Sequence, residues 1–287
     1  MKAVLFALLS YMLISSHARA TGEELLIPSL TAGHPVNSFL QQQLNDVLSA
    51  TEDDYPSVRT IPVKIDVAEE RHLRNLNLGI TDVVWALCSE ERNREYTPIA
   101  VPLMAGLFGY RLNVVRNNDP RFDALSTLEP LQNMIAAQAG RWLDAGILRH
   151  NGITVLDTGR YAGYRAIHRS LADFYPRSVT EIEYEIAGVG LDSVQIAPLH
   201  ALHYPMVYVL YVSKTNHQLA KRLRSGFQRI IDSGRYTELL QQQPWYQSSR
   251  QLMAGRALIR LTNPNNMGEC ATALRDYSQI LYTPAPN

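Results

Sequence analysis

The sequence predicts an α/β protein of two lobes, with the chain leaving the first lobe, building the second and returning. Three observations carry this. Thr60–Val67 and Gly79–Trp85 are β-rich runs on either side of a short helical segment through His72 and Leu76. Such a strand–helix–strand unit favours a parallel sheet with helices on its faces. After the polar turn cluster Asn117-Asn118-Asp119-Pro120, strand and helix patterns restart. A late β run, Pro205–Val212, then leads into the clearest helix of the chain. Two crossings of this kind act as a hinge, and the cleft between the lobes is the default ligand site.

Taken in order, Pro35–Ala50 places Val36, Leu40, Leu44, Val47 and Leu48 at helical spacing with one face apolar. Thr60–Val67 alternates through Ile61, Val63 and Ile65 and reads as a strand. Ile99–Val115 is β-rich with no helical period, and the first crossing is expected near Asn117–Pro120. The second lobe then reads as strand Met134–Gln138, helix Arg141–Arg149, strand Ile153–Leu156, helix Tyr161–Leu171 and strand Asp173–Tyr175. Past the return strand, Asn216 can cap a helix whose stripe is Leu219, Leu223, Phe227, Ile230 and Ile231, with Gly234 at its left-handed end. The tail from Arg250, with Asn263-Pro264-Asn265-Asn266 and a Pro-rich end, reads as a partly ordered extension. There is no internal repeat.

The first twenty residues read as an address rather than as fold. Lys2, the apolar run Ala3–Ile14 and the small residues Ala18 and Ala20 make a secretory signal peptide. The run is too short for a membrane span, which needs about 20 residues. Cleavage after Ala20 would leave 267 residues with 25 basic and 27 acidic side chains. That balance argues against an electrostatic nucleic-acid binder. The expected domains are a leader 1–20, a first lobe from 21–115 and 204–249, a second lobe 116–203 and an extension 250–287. Export makes a bond between Cys88 and Cys270 possible, but two unpaired thiols fit the sequence equally well.

Several motifs stand in a shared order: Gly79-x-x-Asp82, then Ser89-Glu90-Glu91-Arg92, then Ile99-Ala100-Val101-Pro102-Leu103. The run Asn216-His217-Gln218-Leu219-Ala220, followed by Gly226, Ile231, Gly234 and Tyr236, completes the series. Over about Leu25–Gln243 the chain resembles the family 3 bacterial extracellular solute-binding proteins. Gly106–Arg111, Trp142–Leu148 and Phe174–Ile182 are similar to a proteobacterial subgroup of transporter substrate-binding proteins. The resemblance implies the type II periplasmic binding architecture, closure on a small solute, and delivery to a membrane permease or a report to a membrane sensor. It also implies a monomer without cofactor or metal, and no catalysis, although a few exported proteins of this fold are lyases or dehydratases.

In amino-acid-binding members the arginine of the Ser/Thr-x-x-Arg turn holds the ligand carboxylate, and Arg92 occupies that place. A guanidinium fork matches a carboxylate and stays charged at any relevant pH. From its sequence neighbours alone, Arg92 reads rather as a surface arginine in the charged run Glu90–Glu95, and it is the resemblance that turns the reading towards ligand contact. Where the family commonly has an aspartate for the ligand ammonium, this chain has Ser178 beside Arg177. Arg92 and Arg177 facing one cleft would suit an anionic solute; alternatively Arg177 pairs with Glu181 one helical turn on. Gln138 and Gly140 lie at a strand-to-helix junction, where backbone N–H groups bind anions and glycine permits close approach. Trp142, Trp85 and Tyr110 are either cleft walls or packed core, the latter two in the first lobe. Asp144 is read as a local cap or pair.

Enzyme signatures rank lower. His200 and His203 without HExxH or clustered cysteines are weak metal evidence, and hinge packing is the better reading of His203-Tyr204-Pro205. Gly188-Val189-Gly190 lacks the third glycine of a dinucleotide loop, and no GxSxG elbow or P-loop is present.

Overall fold

The computed structural model describes residues 23–28, 34–64 and 69–284. The expected leader lies outside them, as do the last three residues of the strand expected over Thr60–Val67.

The first lobe opens with β1 (Glu23–Pro28), α1 (Pro35–Ser49), β2 (Val58–Val63), α2 (Glu69–Asn77), β3 (Val83–Leu87), α3 (Glu90–Glu95) and β4 (Tyr96–Ile99). Strands β1 and β2 pair in parallel. Leu26 and Asp82 tie β1 to the start of β3: the Asp82 amide donates to the Leu26 carbonyl and the Leu26 amide to the Asp82 carboxylate, both at 2.7 Å. The sequence pattern foresaw β2-α2-β3 but not β1. Strands β1 and β2 form a two-stranded sheet of their own, and β3 pairs instead with β11.

The chain then crosses to the second lobe: β5 (Tyr110–Arg116), α4 (Glu129–Gln132), β6 (Ile135–Gln138), α5 (Leu143–His150), β7 (Thr154–Asp157), α6 (Arg160–His168), β8 (Phe174–Ser178), α7 (Ile182–Val189), β9 (Val194–Ile196) and β10 (His200–His203). It returns as β11 (Tyr208–Ser213), α8 (His217–Asp232) and α9 (Arg235–Gln241), and ends with α10 (Pro244–Met253), β12 (Ala257–Arg260) and α11 (Gly268–Asp276). Strand β11 lies between β3 and β4, antiparallel to both. The second sheet runs β12-β10-β5-β8-β6-β7, with β9 also on β5.

Strand β5 is hydrogen-bonded to β8, β9 and β10, so the chain has already joined the second sheet at Tyr110. The crossing therefore falls between Ile99 and Tyr110, not near Asn117–Pro120. A continuous β-rich run concealed a break that the backbone makes at Ala105 and Gly106, with φ of 51° and 70°. The Tyr236 hydroxyl accepts from the Ala105 amide at 3.0 Å and donates to the Pro102 carbonyl, which pins that break to α9.

Helix α8 forms as its apolar stripe predicts, with the Asn216 side chain accepting from the Leu219 amide at 3.2 Å. The largest apolar cluster runs through both lobes, from Ile27, Phe39 and Leu44 through Leu112 and Val114 to Tyr164, Tyr175 and Ile182. Tyr175 is fully buried in it. Cys88 and Cys270 form a disulfide across 182 positions, which the sequence left open.

Candidate functional site

Helix α3 starts at Ser89, whose hydroxyl accepts from the Arg92 amide at 3.4 Å. With Glu90 and Glu91 in the first turn, the next position faces inward, and Arg92 is 8% exposed. Its guanidinium donates to the Leu87 carbonyl at 2.6 Å and lies 2.6 Å from Glu69; it also binds Glu70. Both carboxylates come from the first turn of α2. The Tyr208 hydroxyl donates to Glu69 at 3.3 Å. Burial, with the neighbouring Glu70, pushes the Glu69 carboxyl up on balance against the pull of Arg92 and Tyr208. Burial also opposes the charge on Arg92, but Glu69 and Glu70 outweigh it and hold the guanidinium above its ordinary value.

In the second lobe Arg177 is the penultimate residue of β8 and is 2% exposed. It forks onto Glu185 of α7, with Nε and Nη2 each 2.6 Å from a carboxylate oxygen, and reaches Glu181 at 3.4 Å. The guanidinium lies 5.1 Å from the ring centroids of both Trp142 and Tyr175. The Tyr164 hydroxyl donates to Glu185 at 2.9 Å. Burial opposes the Arg177 charge, yet its anionic surroundings keep it well above the ordinary arginine range. Of the two readings of Arg177, pairing along α7 is the one seen, and it extends one turn beyond Glu181.

The neighbouring anion cradle also holds carboxylate. The Gly140 amide donates to Asp157 at 2.6 Å, and a Cβ at Gly140 would lie 2.1 Å from the Asp157 carboxylate. A side chain at this position would have to push the exposed Asp157 carboxylate aside and break this bond. The Gln138 side chain is turned onto backbone, donating to the Pro176 carbonyl at 3.4 Å and accepting from the Ala139 amide. Ser178 and Thr180 share a hydroxyl–hydroxyl bond of 2.8 Å.

The two ends meet at Tyr208 and His34. Tyr208 is within electrostatic reach of Glu69, Glu181 and Arg92 together. His34, at the start of α1, lies 3.5 Å from Glu181 and packs its ring edge-on to Tyr184 at 5.3 Å. Phe108 of the crossing stacks on Tyr208 at 5.2 Å, and the buried Arg111 lies 4.3 Å over Phe108. Arg111 pairs with Asp144 at 2.9 Å, and Tyr204 donates to the same carboxylate. Asp144 thus has a structural partner, across the crossing strand.

Of the predicted residues, Arg177 and Trp142 are brought together, whereas Arg92, Gln138, Gly140 and Ser178 each meet partners of their own. Trp85 instead lies 8% exposed in β3, within the main apolar cluster. Tyr110 belongs to the second sheet, not the first lobe, and stacks on His203 at 4.3 Å. Both aromatics are core. Sequence reasoning missed Glu69, Glu70, Glu185, Tyr208, His34 and Asp157. The signal for Glu185 was the i, i+4, i+8 spacing of Arg177, Glu181 and Glu185; the others are distant in sequence from the groups they meet. Among the described residues no group of three His, Cys, Asp or Glu is arranged to hold a metal ion.

No family model matches the sequence, and no characterised protein matches it by sequence. Solved structures do match. The periplasmic VFT2 domain of BvgS from Bordetella pertussis superposes with a TM-score of 0.59 at 15% identity, over 77% of this chain and 92% of that one. The probable amino-acid ABC transporter extracellular-binding protein ytmK from Bacillus subtilis gives 0.57 at 12% identity, over 78% and 98%. A histidine kinase sensor domain with similarity to periplasmic binding proteins gives 0.55 at 14% identity, over 78% and 96%. The chain has the two-lobe α/β fold of the type II periplasmic binding proteins.

Proposed function

We propose that this protein is an exported, non-catalytic solute-binding protein that takes a small carboxylate-bearing solute between its lobes and delivers it to a membrane transporter. The observation that carries the reading is the pairing of Arg92: a nearly buried guanidinium with one partner, Glu70, that is 55% exposed and another, Glu69, that accepts from Tyr208 of the return strand. A ligand carboxylate that takes the place of Glu70 keeps the buried guanidinium paired, so the exchange leaves no uncompensated charge behind. Arg177 is committed to Glu185, which leaves one cationic anchor rather than two.

Glu69, Glu70, Glu181 and Glu185 outnumber Arg92 and Arg177 at this junction. The surplus favours an amino-acid-like zwitterion over a dicarboxylic acid. It supplies the ammonium acceptor that Ser178 does not.

Calorimetric titration with amino acids and dicarboxylic acids tests this. At least one zwitterion is expected to bind one-to-one, and Arg92→Ala to abolish its binding. Unchanged affinity in that variant would remove Arg92 from the site; binding of dicarboxylates alone would overturn the zwitterion.

The likeness to a histidine kinase sensor domain favours a second reading, in which the same site reports to a membrane receptor. Neighbouring permease and ATPase genes would favour transport; a neighbouring kinase would favour sensing.

A further inference from the structure

The segment after α9 is attached to both lobes and to both crossings. Helix α10 begins on the first lobe, where Trp245 packs edge-on to Phe39 of α1 at 5.2 Å. A turn later it is on the second lobe: the Ser249 hydroxyl donates to the Val179 carbonyl at 3.1 Å, and Ser248 binds Glu183 of α7. The chain turns at Gly255, with φ of 69°, into β12, which pairs in parallel with β10 from His200–Ala257 to His203–Arg260. Asn151 and Thr262 exchange two hydrogen bonds of 2.8 and 2.9 Å. All these later anchors belong to the second lobe.

The segment then passes over the return crossing, where Asn263 donates to the Pro205 carbonyl at 2.7 Å. It re-enters the first lobe at α11. There Cys270 is bonded to Cys88, buried in a cluster with Leu73, Leu76 and Val84. Finally it reaches the outward crossing: the Tyr282 amide donates to the Ala105 carbonyl at 2.8 Å, and its ring meets Tyr110 edge-on at 5.3 Å. The chain exceeds the fold it shares with its structural neighbours by roughly 23% of its length. That excess is larger than the 22 residues before Glu23.

We propose that residues 244–284 form a clasp that limits how far the two lobes part. Only seven residues, 263–269, separate the Thr262 anchor on the second lobe from Cys270 on the first. A chain extends at most about 3.3–3.6 Å per residue, so this link has a short fixed reach. Its slack is held in a turn, in which the Asn265 amide donates to the Asn263 side chain and the Asn266 amide to the Asn263 carbonyl. Wide opening must undo that turn, strip β12 from β10 or pull on the disulfide. The disulfide pulls at a consequential point. Cys88 directly precedes the Ser89 cap of α3, and Asn93 of that helix lies 3.6 Å from the Cys270 sulfur. Lobe opening is therefore mechanically linked to the helix that carries Arg92.

The clasp's bearing on solute exchange rests on the proposed function, but its mechanics can be read without any solute. Spin labels at Gln42→Cys on α1 and Arg149→Cys on α5, both exposed, report the lobe separation by pulsed dipolar spectroscopy in the full chain. The parent protein is expected to give one narrow distance distribution. Cys88→Ala with Cys270→Ala is expected to add a longer-distance component absent from the parent. A flexible Gly/Ser run inserted after Asn265, with the disulfide intact, is expected to add the same component. Should the alanine pair fail to fold, the insertion alone decides. An unchanged narrow distribution in variants that unfold cooperatively would overturn the clasp.

Discussion

Arg92 is shared by two carboxylates that differ in exposure, 29% for Glu69 and 55% for Glu70. Glu69 is held from below by the Tyr208 hydroxyl, whereas Glu70 faces solvent on the outer side of the pair. A solute carboxylate competes with Glu70 first. Glu70→Gln keeps the side chain's shape and removes the competing charge. The affinity of a confirmed carboxylate ligand is then expected to rise, by about 5-fold for each 1 kcal/mol of competing Glu70 attraction removed. Calorimetry reads this directly, and a fall in affinity would make Glu70 a ligand contact instead of a placeholder. The motif around Ser89 made Arg92 legible because a cap and a turn are local. Its partners were not legible, since Glu69 and Glu70 stand more than twenty positions away on another helix and read as an ordinary acidic helix start. Arg177 was legible by halves: the spacing to Glu181 is visible in sequence, but the burial that makes Glu185 the stronger partner is a property of the packed lobe.

Among the elements, α8 illustrates how sequence pattern and packing can agree while the decisive contact stays hidden. Its stripe and its Asn216 cap are readable from spacing alone. The reason for Gly226 within it is not. Helix α8 approaches α1 so closely that a Cβ at Gly226 would lie 2.2 Å from the Val47 carbonyl oxygen, which is backbone and cannot swing aside. Gly226→Ala is therefore expected to lower stability despite alanine's better helix propensity. The loss expected is about 1–3 kcal/mol, typical of overpacking in a tight core. Urea unfolding measures it, and a variant as stable as the parent would mean the two helices can separate freely. The C-terminal elements failed to show in the sequence for a different reason. Strand β12 is four residues long and exists through pairing with β10, more than fifty positions earlier. The crossing before β5 escaped notice because its break is made at Ala105 and Gly106, inside a run whose composition is uniformly β-like.

At the scale of the whole molecule, two histidines on the strand that leads back to the first lobe make stability depend on pH. His200 is fully buried, with Nε2 2.9 Å from the Asn113 side-chain nitrogen, and burial followed by repulsion from Arg256 lowers its pKa to about 4. His203 stacks on Tyr110 across β10 and β5, and burial followed by Arg260 lowers it likewise to about 4. The unfolded chain takes up protons at these sites near the ordinary value of 6.5, before the folded chain does. The stability they contribute is thus fully present above about pH 6.5 and is lost as pH falls through that window towards about 4. Glu69 works in the opposite sense, because its raised pKa lets the folded state hold a proton longer than the unfolded state. Two histidines against one carboxyl leave acidification destabilising. Each proton changes the slope by about 1.4 kcal/mol per pH unit, so the pair sets an upper bound near 3 kcal/mol per unit between them. Denaturant unfolding between pH 7 and 4.5 is expected to show this decline, and His203→Phe, which keeps a ring on Tyr110, to halve the histidine part of it. An unchanged pH slope in that variant would mean that His203 takes up its proton as readily in the folded protein as in the unfolded chain, despite Arg260.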